Sequence, residues 1–203
     1  MGELLRSIDA YSGNLITRLA MQVSPHVMAR PGELRHARWP EIDFENAVWK
    51  IPAERMKMRR PHTVPLSRQV VEYLTQLHEF TGPDGFLFPA FHTSRRPLSE
   101  NTVNQAFRRM GYTVGEVTAH GLRTTASTLL NESGKWSPDA IERSLAHADT
   151  DSVRGTYNRG RYWEERVAMH HWWSDYLDQL RDTVPSQEPR SGSAPRNGAS
   201  RRY

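Results

Sequence analysis

Ala119-His120-Gly121-Leu122-Arg123 sets a histidine three residues before an arginine at an expected helix start, so both side chains share one face. Free backbone N–H groups at such a start favour a phosphate. Histidine can donate and move protons, and arginine adds a permanent forked charge. Alone, H-x-x-R occurs often by chance and reads better as an ordinary surface pair; its neighbours give it weight. Ten residues beyond His147, in Leu145-Ala146-His147, stands Tyr157, within Arg154-Gly155-Thr156-Tyr157-Asn158-Arg159. A phenol titrates at about 10, so a nucleophilic Tyr157 requires neighbouring cations or a base. Upstream lie Arg30, with Glu33 at i+3, and Lys57 in a basic loop.

Each residue also has a plainer reading. Arg30 could cap a helix or pair with Glu33, and Lys57 could be one solvated charge beside Arg55, Arg59 and Arg60. His147 could be a satisfied interior histidine, and Tyr157 could simply pack. His170 and His171 are adjacent on an expected helix, point to different faces and do not share a metal.

The elements that must position these residues follow from period and punctuation. Residues 3–11 and 14–23 carry helical patterns, with Leu15, Leu19 and Val23 on one stripe. Ser24-Pro25 reads as an interruption or kink, and Arg30-Pro31-Gly32-Glu33-Leu34 as a fresh helix start. Ala37–Asp43, Val48–Ile51 and His62–Leu66 read as three antiparallel strands, with Pro65 favouring a sheet edge. Ser67 caps a helix carrying Val70, Val71, Leu74 and Leu77, which ends at Gly82-Pro83-Asp84-Gly85. Further helices are expected from Ser99 to about Met110, over His120–Asn131, from Ser137-Pro138-Asp139, and from Trp163 to about Asp182. From Thr183 onward the composition is Ser, Pro, Gly, Arg, Asn and Gln, which reads as a disordered basic tail over 183–203.

At 203 residues the chain fits one domain plus a tail. It has no cysteine, which excludes disulfides, thiolate metal sites and a cysteine nucleophile. No run of about 18 apolar residues suggests a membrane span, and the first residues lack a signal peptide's apolar core. A soluble intracellular protein is therefore the expectation. The formal charge is +4, and of 27 basic residues only Lys50, Lys57 and Lys135 are lysine. Arginine's planar fork suits bidentate phosphate contacts; a GC-rich coding sequence explains the same bias.

Taken in order, R-P-G-E-L, M-K-M-R-R-P-H, H-G-L-R, L-A-H and T-Y-N-R resemble the tyrosine recombinases, specifically the prophage-type integrases, from about Leu4 to Leu180. The stretch Trp49–Met58 also looks like that family's sheet hairpin. The resemblance implies a mainly α catalytic domain over 1–182 with a small three-stranded antiparallel sheet. It further implies that Arg30, Lys57, His120, Arg123, His147 and Tyr157 converge on one basic cleft. In that cleft Arg30 and Arg123 clamp the scissile phosphate. Tyr157 attacks phosphorus to form a 3′-phosphotyrosyl link, and Lys57 protonates the departing 5′ oxygen. His120 transfers protons, His147 hydrogen-bonds the phosphate and Glu33 orients its neighbours. Arg59, Arg60, Arg154 and Arg159 are expected to contact DNA.

No metal or other cofactor is implied, because the phosphotyrosine conserves the bond energy. The implied partners are double-stranded DNA, further copies in a tetrameric synapse, and accessory DNA-bending proteins, with no membrane. Integrases of this kind usually carry an amino-terminal core-binding domain, and this chain starts at the catalytic domain. Weak, salt-sensitive DNA binding by the chain alone is therefore expected. Three competing readings stay open: a catalytically idle DNA-binding remnant, a type IB topoisomerase, and a helical DNA-binding regulator. The last apolar helix is expected either to fold back on its own domain or to dock on a neighbouring copy.

Overall fold

The computed structural model describes residues 1–146 and 162–183. Helices α1 (Gly2–Asp9) and α2 (Leu15–Val27) lead into a short α3 (Pro31–Arg35). A three-stranded antiparallel sheet follows, made of β1 (Ile42–Asp43), β2 (Val48–Ile51) and β3 (His62–Pro65) in that spatial order. Helix α4 (Arg68–Thr81) and a two-stranded ribbon, β4 (Pro89–Ala90) and β5 (Thr93–Pro97), come next. Then come α5 (Thr102–Arg109), α6 (Ala119–Glu132), α7 (Pro138–Ser144) and α8 (Trp163–Asp182).

Side-chain caps set several helix starts. Asn14 accepts from the Thr17 N–H, Ser67 from Val70, Thr118 from Gly121 and Ser137 from Ala140. The largest apolar cluster joins α2, the sheet and α4 through Leu19, Val23, Trp49, Val64, Val70 and Leu74. A second gathers Met28, Ala126, Ile141, Met169 and Trp173 around α6, α7 and α8. Helix α8 folds back on its own domain: the Trp173 indole donates to the Pro25 carbonyl at 2.8 Å, and Arg6 donates to the Arg181 carbonyl at 2.8 Å.

The sheet has the expected strand number and direction, with Pro65 on edge strand β3. Its first strand is shorter than Ala37–Asp43. Pro40, which lacks an N–H, sits in a 3₁₀ turn over Trp39–Glu41, and Glu41 accepts from the Arg38 N–H. Helix α2 runs through Pro25 to Val27. The proline falls in the last turn, where its missing N–H costs one bond and the helix ends two residues later. Helix α5 starts at Thr102 rather than at Ser99, whose hydroxyl instead bonds Thr102 Oγ1 at 2.8 Å. Apart from Thr183, the tail 183–203 lies outside the described residues.

Candidate active site

Arg30 is the N-cap of α3, its φ and ψ extended ahead of Pro31. Glu33 reaches back: its carboxylate accepts from the Arg30 backbone N–H and from its guanidinium, both at 2.8 Å. The pair therefore combines the carboxylate half of a capping box with an ion pair, and Glu33 is buried. This leaves the far Arg30 nitrogen, Nη2, aimed at the Ala146 carbonyl, 3.1 Å away.

Arg123 comes from the second turn of α6. It is 6% exposed, and its guanidinium donates to the carbonyls of Met28 and Leu145. Burial, reinforced by the Arg30 charge, pulls its pKa down to about 10, so it stays cationic at neutral pH. Two guanidiniums from different helices thus meet adjacent carbonyls at the C-terminal end of α7. Arg166 of α8 stands behind them, buried, donating to Ser144 Oγ at 3.0 Å and to the Thr63 carbonyl at 2.6 Å. Its own pKa is drawn down to about 10, mostly by burial and then by Arg143.

Lys57 follows the 3₁₀ turn Ala53–Arg55 on the loop into β3 and is exposed, as are Arg59 and Arg60. The loop is held at its root, where Met56 is buried in the core and Arg55 pairs with Glu41 at 2.7 Å. Glu41 also accepts from the Trp49 indole at 2.9 Å, tying the loop to β2. His120, in the first turn of α6, is exposed, whereas Arg123 points inward. Among the described residues no hydrogen bond or ion pair joins Lys57 or His120 to the arginine pair. His147, Arg154, Tyr157 and Arg159 lie outside the described residues.

Sequence reasoning assigned no role to His62 or Arg166, although both adjoin the arginine pair. Arg166 was detectable, since Arg166, Met169, His170, Trp173 and Leu177 repeat at helical spacing along the buried face of α8. His170 on that face is buried and His171 is exposed, so the two point apart. Among the described residues no cluster of three or more His, Cys, Asp or Glu is placed to hold a metal, and no helix is long and apolar enough to cross a membrane.

A family model described as the phage integrase family matches residues 1–163. The chain is 45% identical over 194 residues to the integrase of Enterobacteria phage P4, which covers 89% of this chain and 44% of that protein. It spans about half the length of the curated relatives it matches. Among solved structures, the integrase from mycobacterium phage Brujita aligns with a TM-score of 0.65 at 20% identity, covering 89% of this chain and 57% of that one. A lambda integrase tetramer bound to a Holliday junction aligns with a TM-score of 0.56 at 21% identity, covering 74% of this chain and 46% of that one. The mostly helical architecture with a small antiparallel sheet is shared with these structures. With four-fifths of its length matched by the family model and its motifs in order, the chain belongs to the phage integrase family.

Proposed function

We propose that residues 1–182 form the catalytic domain of a site-specific DNA recombinase that cuts and rejoins strands through Tyr157. The observation that carries this reading is the pair Arg30 and Arg123, drawn from α3 and α6 to neighbouring carbonyls with Glu33 fixing one of them. Such a fork pair suits the non-bridging oxygens of a phosphodiester, whose charge grows as phosphorus becomes pentavalent.

In the cleavage step the Tyr157 oxygen bonds to phosphorus and gives up its proton, with His120 taking part in the transfer. The phosphorus–O5′ bond breaks, and Lys57 supplies the proton to the leaving oxygen. His147 hydrogen-bonds the phosphate. Rejoining reverses these steps with a 5′-hydroxyl as nucleophile, so the bond energy is kept in the phosphotyrosine. Arg59, Arg60, Arg154 and Arg159 contact the duplex backbone. Self-association on DNA, with accessory DNA-bending proteins, in the nucleoid-bearing cytoplasm, belongs to the same proposal. It rests on family membership.

The test is a nicked suicide duplex carrying a candidate attachment site, incubated with wild type and Tyr157→Phe and resolved on a denaturing gel. A covalent adduct with wild type alone is expected. An adduct retained by Tyr157→Phe overturns the nucleophile. No adduct, even after an amino-terminal DNA-binding domain is fused to the chain, overturns the catalytic reading.

A further inference from the structure

Arg166 lies in the first turn of α8, and its guanidinium holds two other elements at once. Nε donates at 3.0 Å to the Oγ of Ser144, the last residue of α7. Nη2 donates at 2.6 Å to the Thr63 carbonyl of edge strand β3. Each of these three elements leads, within a few residues, to a residue assigned to strand cleavage. Lys57 precedes Thr63 by six positions, His147 follows Ser144 by three, and Tyr157 precedes Arg166 by nine. One planar fork therefore fixes, relative to one another, the three element ends from which the chain runs to those residues.

Docking of α8 does not depend on this fork. In the same turn, Glu165 accepts from the Ser137 N–H at 2.6 Å and from the Ser137 hydroxyl at 2.8 Å, so the start of α7 is held without Arg166. What Arg166 adds is the far end of α7 and the link to β3. Stability gives little reason for a guanidinium there. Arg166 is 9% exposed, both of its acceptors are uncharged, and among the described residues no carboxylate bonds it. Burying a cation against neutral acceptors is costly, and an apolar side chain of similar volume often serves a core as well or better. A fork does what an apolar chain cannot: it sets two partners in fixed directions from one point.

We propose that Arg166 is a positioning residue for strand cleavage: it registers β3, α7 and α8 against one another so that Lys57, His147 and Tyr157 are presented to the same phosphate. Buried and committed to Ser144 and Thr63, it acts through these elements and not on the phosphate itself. The proposal rests on the recombinase reading above, but the tie can be tested apart from that reading.

Three variants of the 203-residue chain make the test. Arg166→Met removes fork and charge, Arg166→Lys keeps the charge but cannot span both acceptors, and Ser144→Ala cuts one arm. Single-turnover adduct formation at saturating nicked duplex is read beside DNA affinity, melting temperature and hydrogen exchange of peptides covering 57–66 and 138–146. Both Arg166 variants should slow cleavage about ten- to a hundredfold, as a small misplacement of reacting groups does. Affinity and melting temperature should hardly move, and exchange should rise in both peptides. Ser144→Ala should lose less, and adding it to Arg166→Met should cost nothing further. Wild-type cleavage by either Arg166 variant overturns the proposal; retained by Arg166→Lys alone, it assigns the effect to charge. Losses that track melting temperature also overturn it, as do losses from Arg166→Met and Ser144→Ala that simply multiply. If wild type yields no adduct, even with an amino-terminal DNA-binding domain fused, the recombinase reading falls and the cleavage role with it. The exchange data then decide the tie alone: faster exchange of both peptides in Arg166→Lys supports it, and unchanged exchange overturns it.

Discussion

Two buried polar clusters fasten α8 to the rest of the domain, and they differ in charge. On one side, His26 Nδ1 and Ser174 Oγ share a hydrogen bond of 2.9 Å, and Ser174 donates to Ser67 Oγ at 2.8 Å. With the Ser174 hydroxyl committed to Ser67, His26 is the donor, and the relay is neutral and complete. On the other side, Arg30, Arg123 and Arg166 crowd around the end of α7. Glu33 is the one carboxylate bonded to any of them among the described residues. Burying a cation without an opposite charge is unfavourable, and backbone carbonyls offset only part of that penalty. The neutral relay has what a structural joint needs. The cationic cluster carries more positive charge than its one carboxylate balances, which supports the phosphate role proposed above.

The largest expected effect separates the two clusters directly. Arg123→Met should lower single-turnover cleavage by about a hundred- to a thousandfold, the scale of losing one charge-stabilising donor. The melting temperature of the DNA-free chain should move little, because two orphaned carbonyls are offset by the release of a buried cation. A large melting loss with intact cleavage would place Arg123 with the structural joints instead.

Acid should act next most strongly, and mainly through the histidines. Burial is the leading cause that lowers the pKa of His26 to about 4, of His62 to about 3, and of His170 well below its ordinary value. Unfolded, each takes up a proton near pH 6.5, so acid favours the unfolded chain. Their contribution is whole above pH 6.5 and is lost as pH falls toward 4, His26 alone accounting for up to about 3 kcal/mol. Urea denaturation at pH 7.5, 5.5 and 4.5 should show the decline. His26→Phe should flatten part of it while leaving cleavage at pH 8 near wild type. A pH-independent midpoint in wild type would mean that these histidines are not buried in their neutral form.

The smallest effect concerns the turn between α7 and the arginines. Ala146→Gly removes a Cβ from a left-handed backbone position and should raise stability by about 0.5–1 kcal/mol, read from the same urea curves. A loss of stability would mean that the Ala146 methyl, which packs against the core, matters more than its backbone angle.

Much of this architecture is legible in the sequence, and for identifiable reasons. Ser67, Ser137 and the Arg30-Pro31 pair mark helix starts because capping chemistry is local. Strand β2 shows itself through Val48, Trp49 and Ile51, buried on either side of exposed Lys50. Arg30, Glu33 and Arg123 could be singled out because R-P-G-E-L and H-G-L-R stand in an order that resembles the tyrosine recombinases; alone, each is a common pair. Less legible was what depends on contacts remote in sequence. His62 looks like an ordinary strand residue until β3 is laid beside α7 and α8. Similarly, the 3₁₀ turn at Trp39–Glu41 depends on Arg55 and Trp49 reaching Glu41 from farther along the chain. The β4–β5 ribbon, with Thr93–Pro97 mostly polar and half-buried or exposed, offers no apolar alternation to read.

The bond from Arg6 to the Arg181 carbonyl links helices at opposite ends of the described chain, and Trp173 reaches back to Pro25. Synthesis is vectorial, so a nascent chain presents α1 and α2 long before the helix that covers them exists. Leu5, Met28 and the Pro25 carbonyl must wait on the ribosome for α8, and the arginine cluster waits with them for Arg166. Such long-range closure is slow relative to local helix formation. The arginine cluster is therefore completed only as α8 docks, so an incompletely made copy holds Arg30 and Arg123 without the scaffold that surrounds them.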